Sequence, residues 1–205
     1  MKIKVILSIT ALTILFFPFN SWGQVRVTTE RVVENQELLD FFRFEGIQYM
    51  KMNFTGNELK DKIYRISVKE IWNGIITKDS VIIDSKRLNI TVGDTILKMR
   101  VISKLTEENK LKMNFIFPRF TTTIQFDAVS SDAYSLRNVL GRETEMLVDF
   151  GEKFYVLVYM LPYEVKTEIG TWFQYCAVEI SGKEIETWGK EFGIEHYLVF
   201  EMIFE

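Results

Sequence analysis

The sequence predicts a mainly β fold, an antiparallel sandwich or barrel with two short helices, behind an N-terminal signal peptide. Three observations predict it. A short apolar stretch opens the chain, and alternating apolar and polar positions flank an Asn-Gly pair from residue 62 onward. Further on, residues 154–161 are apolar on both faces.

Lys2 and Lys4 make a basic start, and Val5 to Phe17 gives 13 residues whose only polar members are Ser8, Thr10 and Thr13. Pro18 breaks the stretch, and Ser21 and Gly23 place small residues three and one positions before a cleavage at Gln24. That is the layout of a secretory signal peptide. A spanning helix needs about 20 apolar residues, so this stretch is too short for a stable anchor. Residues 1–23 are therefore expected to be removed and residues 24–205 to form a single β-rich domain, exported to the periplasm or secreted. No direct membrane insertion is expected after cleavage.

The chain carries 25 basic and 28 acidic side chains for a net charge of −3, and both basic residues of the leader leave with it. A mildly acidic chain without a basic run has no footprint for nucleic acid and no polybasic patch for anionic lipid. Cys176 is the only cysteine, so no internal disulfide forms, and its apolar surroundings predict a small buried side chain.

Residues 24–36 are polar around Val25, Val27, Val32 and Val33, the pattern of a short strand or extended arm. Glu37 to Glu45 fits one or two helical turns nearly as well as a strand. Ile47 to Phe54 lies between Gly46 and Gly56 and is apolar enough for a strand. Tyr64, Ile66, Val68 and Trp72 alternate with Arg65, Ser67 and Lys69, which is the period of a half-buried strand. Asn73-Gly74 follows, a dipeptide suited to a type I′ turn because both positions tolerate positive φ. Ile75 to Asp84 then returns as the partner strand. Further strands are expected at Leu88–Val92, Leu97–Val101, Leu111–Phe117 and Phe120–Phe126.

Ser130 or Ser131 is placed to cap a helix carrying Ala133, Leu136, Val139 and Leu140 on one face, with Gly141 at its end. Ser181 and Glu184 have capping-box spacing before Ile185, Trp188 and Phe192, with Gly193 as terminator. Phe154 to Leu161 reads as the central strand, covered on both sides. Thr171–Ile180 and Tyr197–Phe204 bring the expected total to nine or ten strands.

The candidate chemistry is sparse. His196 is the only histidine, and one histidine with one cysteine leaves no zinc site of the usual ligand set. No acidic loop has calcium-binding spacing, and no nucleophile elbow, glycine-rich phosphate loop or dinucleotide fingerprint is present. His196 reads as structural or exposed rather than as a base. Glu143, Glu145, Asp149 and Glu152 read as a solvated face before the two-sided strand. Most of the 17 phenylalanines, with Trp72, Trp172 and Trp188, are expected in the core. Any left exposed at strand ends would offer a stacking platform for glycan or peptide. Asp79-Ser80-Val81 and Asp94-Thr95-Ile96 match an Asp-Ser/Thr-apolar O-glycosylation acceptor, against a strand-flanking turn as the plain alternative.

The segment Tyr64–Gly74, with Val81–Ile83 after it, resembles the netrin/TIMP-like exported domains, where an apolar strand runs through Val-x-Glu-x-Trp-Lys-Gly. Gly151 to Tyr159 looks like that family's later Gly-x-x-Tyr-Leu-Val strand. The resemblance implies a five-stranded OB-type barrel with added strands. The family's paired cysteines are missing apart from Cys176, and so is its N-terminal inhibitory cysteine, so no functional residue carries over.

No catalytic, cofactor-binding or metal-ligating residue is assigned from the sequence, and no cofactor is expected. The reading is an exported, non-catalytic binding or interaction domain of the bacterial cell envelope, with an unidentified protein or glycan partner. Two alternatives stand beside it. One is a carboxylate-dependent hydrolase, whose residue pair is set by spatial distance and hidden from sequence. The other is a small outer-membrane β-barrel.

Overall fold

Strands supply the bulk of the chain in the computed structural model, which describes residues 23–30, 35–175, 178 and 184–205. The signal-peptide segment and Cys176 lie outside the described residues. The chain runs as β1 (Gln24–Glu30), helix α1 (Gln36–Phe44) and β2 (Gln48–Thr55). A hairpin of β3 (Tyr64–Trp72) and β4 (Ile75–Asp84) follows. The meander β5 (Ile96–Leu105), β6 (Lys110–Ile116) and β7 (Thr121–Asp127) comes next. After it come β8 (Ser135–Asn138), β9 (Glu145–Asp149), β10 (Phe154–Met160) and the small hairpin β11 (Tyr163–Thr167) with β12 (Gly170–Gln174). A 3-10 turn (Ile185–Thr187), helix α2 (Trp188–Phe192) and β13 (His196–Phe204) complete it.

Two antiparallel sheets carry the fold. Sheet A has the order β7-β6-β5-β2-β1-β9, and sheet B the order β4-β3-β13-β10-β8. Each sheet ends in two edge strands, so neither closes on itself. The sandwich alternative is the one that forms, and a closed barrel does not. Aromatic rings bridge the layers: Phe115 of β6 lies 5.4 Å from Phe200 of β13, and Phe54 of β2 lies 5.5 Å from Phe204. Sheet A shows the alternation that a one-sided sheet requires. In β5, Leu97, Met99 and Val101 are buried while Lys98 and Arg100 face water.

Sheet B is buried on both faces over β10 and β13. Its outer face is covered at one end by α2 and the preceding turn, which bury Ile185 and Trp188. The Tyr197 hydroxyl donates to the carbonyls of Ile185 or Glu186 and accepts from the Gly189 amide at 3.0 Å. Gly189 is where α2 meets the β3–β4 turn: a Cβ there would stand 2.6 Å from the Gly74 Cα. That turn has φ of +49° at Asn73 and +75° at Gly74, as a type I′ connection demands.

Several expectations need correction. The two-sided run at 154–161 is not the central strand; β13 is, and β10 lies between it and the edge strand β8. Residues 131–140 form no helix. β8 pairs with β10 from Ser135–Met160 to Asn138–Leu157. The Gln48 side chain also donates to the Tyr134 carbonyl and accepts from the Leu136 amide, each at 2.5 Å. A ladder on one edge and a side-chain amide on the other satisfy the backbone as strand, overriding the helical spacing of the apolar residues. Leu88–Val92 is no strand either. Asp84 accepts from the Lys86 amide at 3.0 Å and the Arg87 amide at 3.2 Å, folding the chain into turns.

Of the two readings for residues 37–45 the helix is found, capped by Asn35 accepting from the Leu38 amide at 3.0 Å. α2 ends at Gly193 in the left-handed conformation, as expected, with φ of +67°. Ser181 of the expected capping box lies outside the described residues, and Glu184 caps with no side-chain bond. Of the strand expected at 171–180, Gly170–Gln174 is observed, and most of its second half lies outside the described residues. The described strands number thirteen, more than expected, because β8, β9 and β11 are too short to announce themselves by periodicity.

Candidate functional site

Four places gather chemistry-bearing or exposed apolar side chains. The first surrounds His196, which opens β13 opposite Trp72 of β3. Its imidazole is fully buried, with the Trp72 ring stacked 3.9 Å away. The Tyr134 hydroxyl lies 2.6 Å from Nδ1 and accepts from the Val129 amide at 3.0 Å. With that hydroxyl proton directed to Nδ1, the neutral ring carries its own proton on Nε2. Nε2 faces Oε1 of the buried Glu70 at 3.6 Å, too long for a hydrogen bond, and Glu70 Oε1 instead accepts from Trp72 Nε1 at 2.9 Å. Burial pushes the His196 pKa down to about 4, and the Asp127 charge opposes this only in part. A neutral, ring-covered histidine is a structural plug at one end of the core. It reaches no solvent, as a base working on substrate must.

That depressed pKa has a measurable consequence. The unfolded chain takes up a proton at His196 near pH 6.5 and the folded chain only near pH 4. Between those values the unfolded state binds more protons, so stability falls as pH falls. The expected loss across that window is about 3 kcal/mol. Denaturation at pH 7 and pH 4.5, repeated with His196→Phe, checks it. The variant should lose this part of the slope, and an unchanged slope would assign it to other groups.

The second place is on the outer face of sheet B. Lys69 of β3 bonds Glu186, and its Nζ lies 2.8 Å from Glu201 of β13. Tyr155 of β10 donates to Glu186 at 3.0 Å, and Lys153 approaches Glu201 at 3.4 Å. Burial works against the Lys69 charge, yet the two carboxylates more than offset it and hold its pKa above the usual lysine range. The same bonds hold Glu186 below the usual carboxylate range despite burial. Here two carboxylates share one ammonium, which engages both of them.

The third is a groove of about 310 Å³ beside edge strand β9, where the two sheets part. Val139, Met146, Val148 and Phe154 line it, with Asp149 and Glu152 at the rim. The acidic cluster read from the sequence is thus split. Asp149 and Glu152 meet at this groove, Glu145 pairs with Arg26 at 3.4 Å, and Glu143 is exposed. Of the two acceptor-like tripeptides, Asp79-Ser80-Val81 lies inside β4, and Asp94-Thr95 forms the turn before β5.

The fourth comprises apolar side chains left in water. Helix α1 buries none of its residues, and Leu38, Phe41 and Phe44 are 43%, 53% and 87% exposed. Leu39 and Phe42 are half-buried, with Phe42 facing Tyr49 of β2 at 6.2 Å. On the β11–β12 hairpin, Ile169 is 92% and Phe173 67% exposed, with Trp172 beside them. Sequence periodicity marks α1 as amphipathic but cannot say that Leu38, Phe41 and Phe44 are exposed.

Among the described residues no group of three histidine, cysteine or carboxylate side chains is placed to hold a metal, and no helix is long and apolar enough to cross a membrane. Fold and sites together define a two-sheet antiparallel β-sandwich with exposed aromatic side chains on two surface elements. Compared with protein-family models, curated proteins and solved structures, the chain matches none.

Proposed function

We propose that the chain is an exported, non-catalytic binding or interaction domain of the bacterial cell envelope. The observation that carries this reading is the contrast between its interior and its surface. Its charged and imidazole clusters are closed upon themselves, with His196 under Trp72 and Lys69 between Glu186 and Glu201. Among the described residues its exposed aromatic rings instead sit on two elements, Phe41 and Phe44 on α1 and Trp172 and Phe173 on the β11–β12 hairpin. Exposed apolar surface of this kind belongs to interaction sites. The netrin/TIMP-like likeness falls on β3 and its turn and adds no functional residue.

The test has two arms. Mass analysis of the protein from its native host should give a chain beginning at Gln24, and a full-length chain in the membrane fraction would overturn export. Photo-cross-linkers at Phe41 and Phe173 should trap an envelope component that one at exposed Lys86 does not. Equal labelling from all three positions would overturn the interaction surfaces.

One arrangement favours the hydrolase alternative: Asp149 and Glu152 line a common groove. If envelope glycan is cleaved, and cleavage disappears with Asp149→Asn or Glu152→Gln, the alternative replaces the binding reading.

A further inference from the structure

A smaller pocket, of about 130 Å³, opens where the start of β3 meets the start of β5. Its walls are apolar: Val92 from the β4–β5 connection, Leu97 from β5 and Phe117 from the β6–β7 turn, all buried. Tyr64 of β3 completes them, its ring 5.2 Å from that of Phe117. Backbone bonds hold the β4–β5 connection in place. The Val92 amide donates to the Lys62 carbonyl at 2.9 Å, and the Val92 carbonyl accepts from the Asp61 amide at 2.8 Å. The Thr95 carbonyl accepts from the Gly56 amide at 3.0 Å.

Three polar groups converge on this pocket with bonding capacity to spare. Tyr64 is only 1% exposed, yet its hydroxyl still meets solvent and has no hydrogen-bond partner among the described residues. Burial raises the Tyr64 pKa and the Arg119 charge opposes the rise, so the phenol is a donor within the field of that guanidinium. Arg119 is exposed on the β6–β7 turn and lies against the connection: a Cβ on Gly93 would stand 3.1 Å from its Nη2. Asp94, the next residue, turns Oδ1 to the Thr95 amide at 2.7 Å and keeps Oδ2 free. Arg119 and Asp94 thus line one mouth without an ion pair between them, and among the described residues neither has one elsewhere. Asp61 and Lys62, behind the connection, do not line the pocket, and the Lys62 ammonium lies over the Phe150 ring at 4.7 Å. Among the described lining residues the charges are therefore one of each sign, held apart at the rim of an apolar cavity.

We infer that this pocket binds a small α-amino acid with an apolar side chain. Opposite charges at one mouth select a zwitterion over a simple anion or cation. The ligand carboxylate meets the Arg119 guanidinium, which suits it geometrically, and takes a further hydrogen bond from the Tyr64 hydroxyl. The ligand ammonium meets Asp94 Oδ2. Its side chain enters between Val92, Leu97 and Phe117, where a polar one would lose its bonds to water and find none in return. A cavity of about 150 Å³ takes a benzene ring, so this one suits a side chain of about four to six carbons. The inference goes beyond the interaction-domain reading: it adds a small-molecule site that shares no residue with α1 or the β11–β12 hairpin.

Calorimetry of residues 24–205 with L-leucine should show saturable binding at one site. Isocaproate lacks the ammonium, isoamylamine lacks the carboxylate and L-serine lacks the apolar side chain. Each should bind at least about tenfold more weakly than leucine. Arg119→Gln and Asp94→Asn should each weaken leucine binding about tenfold, and Tyr64→Phe about threefold through the loss of one hydrogen bond. Lys86→Gln, a charge change elsewhere, should leave it unchanged. Arg119 and Asp94 are exposed, so their variants should melt with the parent chain, which separates lost binding from lost folding. Absence of saturation at millimolar leucine would overturn the inference. So would isocaproate or isoamylamine binding as tightly as leucine, or Arg119→Gln and Asp94→Asn binding leucine as the parent does. The cross-linking result at Phe41 and Phe173 does not depend on leucine, so this inference can fail while the interaction-domain reading stands.

Discussion

Phe200→Ala is expected to cost about 4 kcal/mol, the range found when a buried aromatic ring is removed and its space cannot collapse. Phe200 sits midway along β13, the central strand of sheet B, and is fully buried. Its ring spans the interlayer gap to Phe115 at 5.4 Å and Phe126 at 6.1 Å, both from sheet A. The void would therefore open between two ladders, each fixed by its own backbone hydrogen bonds, which limits relaxation. Urea denaturation should show a large fall in midpoint, since domains of this kind have only about 5–15 kcal/mol in total. Phe173→Ala provides the contrast. That ring is 67% exposed on β12, and its removal should change stability by less than about 0.5 kcal/mol. Equal effects at the two positions would contradict the placement of the core.

The sequence and structure agree best where a local rule and a tertiary need coincide. Asn73-Gly74 predicts a hairpin because both residues tolerate positive φ, and both adopt it. The run at 154–161 is apolar on both sides because β10 is covered on both sides, although its neighbour β13 takes the centre. Disagreement arises where spacing is ambiguous. Ala133, Leu136 and Leu140 have helical intervals, but Tyr134 and Leu136 also alternate, and only the ladder to β10 decides between the two. Leu88, Ile90 and Val92 alternate as a strand would, yet the Asp84 carboxylate caps a turn just before them.

The candidate surfaces were less legible than the fold, for a physical reason. Glu70 went unmarked in the sequence, although it shares a face with Ile66 and Val68 and the alternation of β3 directs it inward. The facing of like charges in sheet A was not readable, because Lys51, Arg100, Lys104 and Lys112 are dispersed over β2, β5 and β6 and only the registers Lys51–Arg100 and Lys104–Lys112 bring them together. Likewise nothing in Leu38, Phe41 and Phe44 tells that their edge of α1 meets water and not another layer.

Lys69→Ala is the second large effect, expected at about 3 kcal/mol, the order seen when one member of a buried ion pair is removed. The cost comes from what remains more than from what is lost. The Glu201 side chain is 8% exposed, and without Lys69 the ion pair left to it among the described residues is with Lys153, a solvent-exposed side chain 3.4 Å away. Glu186 keeps the Tyr155 hydroxyl at 3.0 Å and the more distant charge of Lys153. A double substitution separates the two contributions. Lys69→Met with Glu201→Met removes both charges and keeps apolar volume, so its cost should be well below that of either single change. Thermal denaturation of the four chains closes the cycle. A double variant as unstable as the sum of the singles would mean that Lys69 and Glu201 act independently. It would also remove the argument that this face of sheet B is closed by its own charges and offers none of them to a substrate.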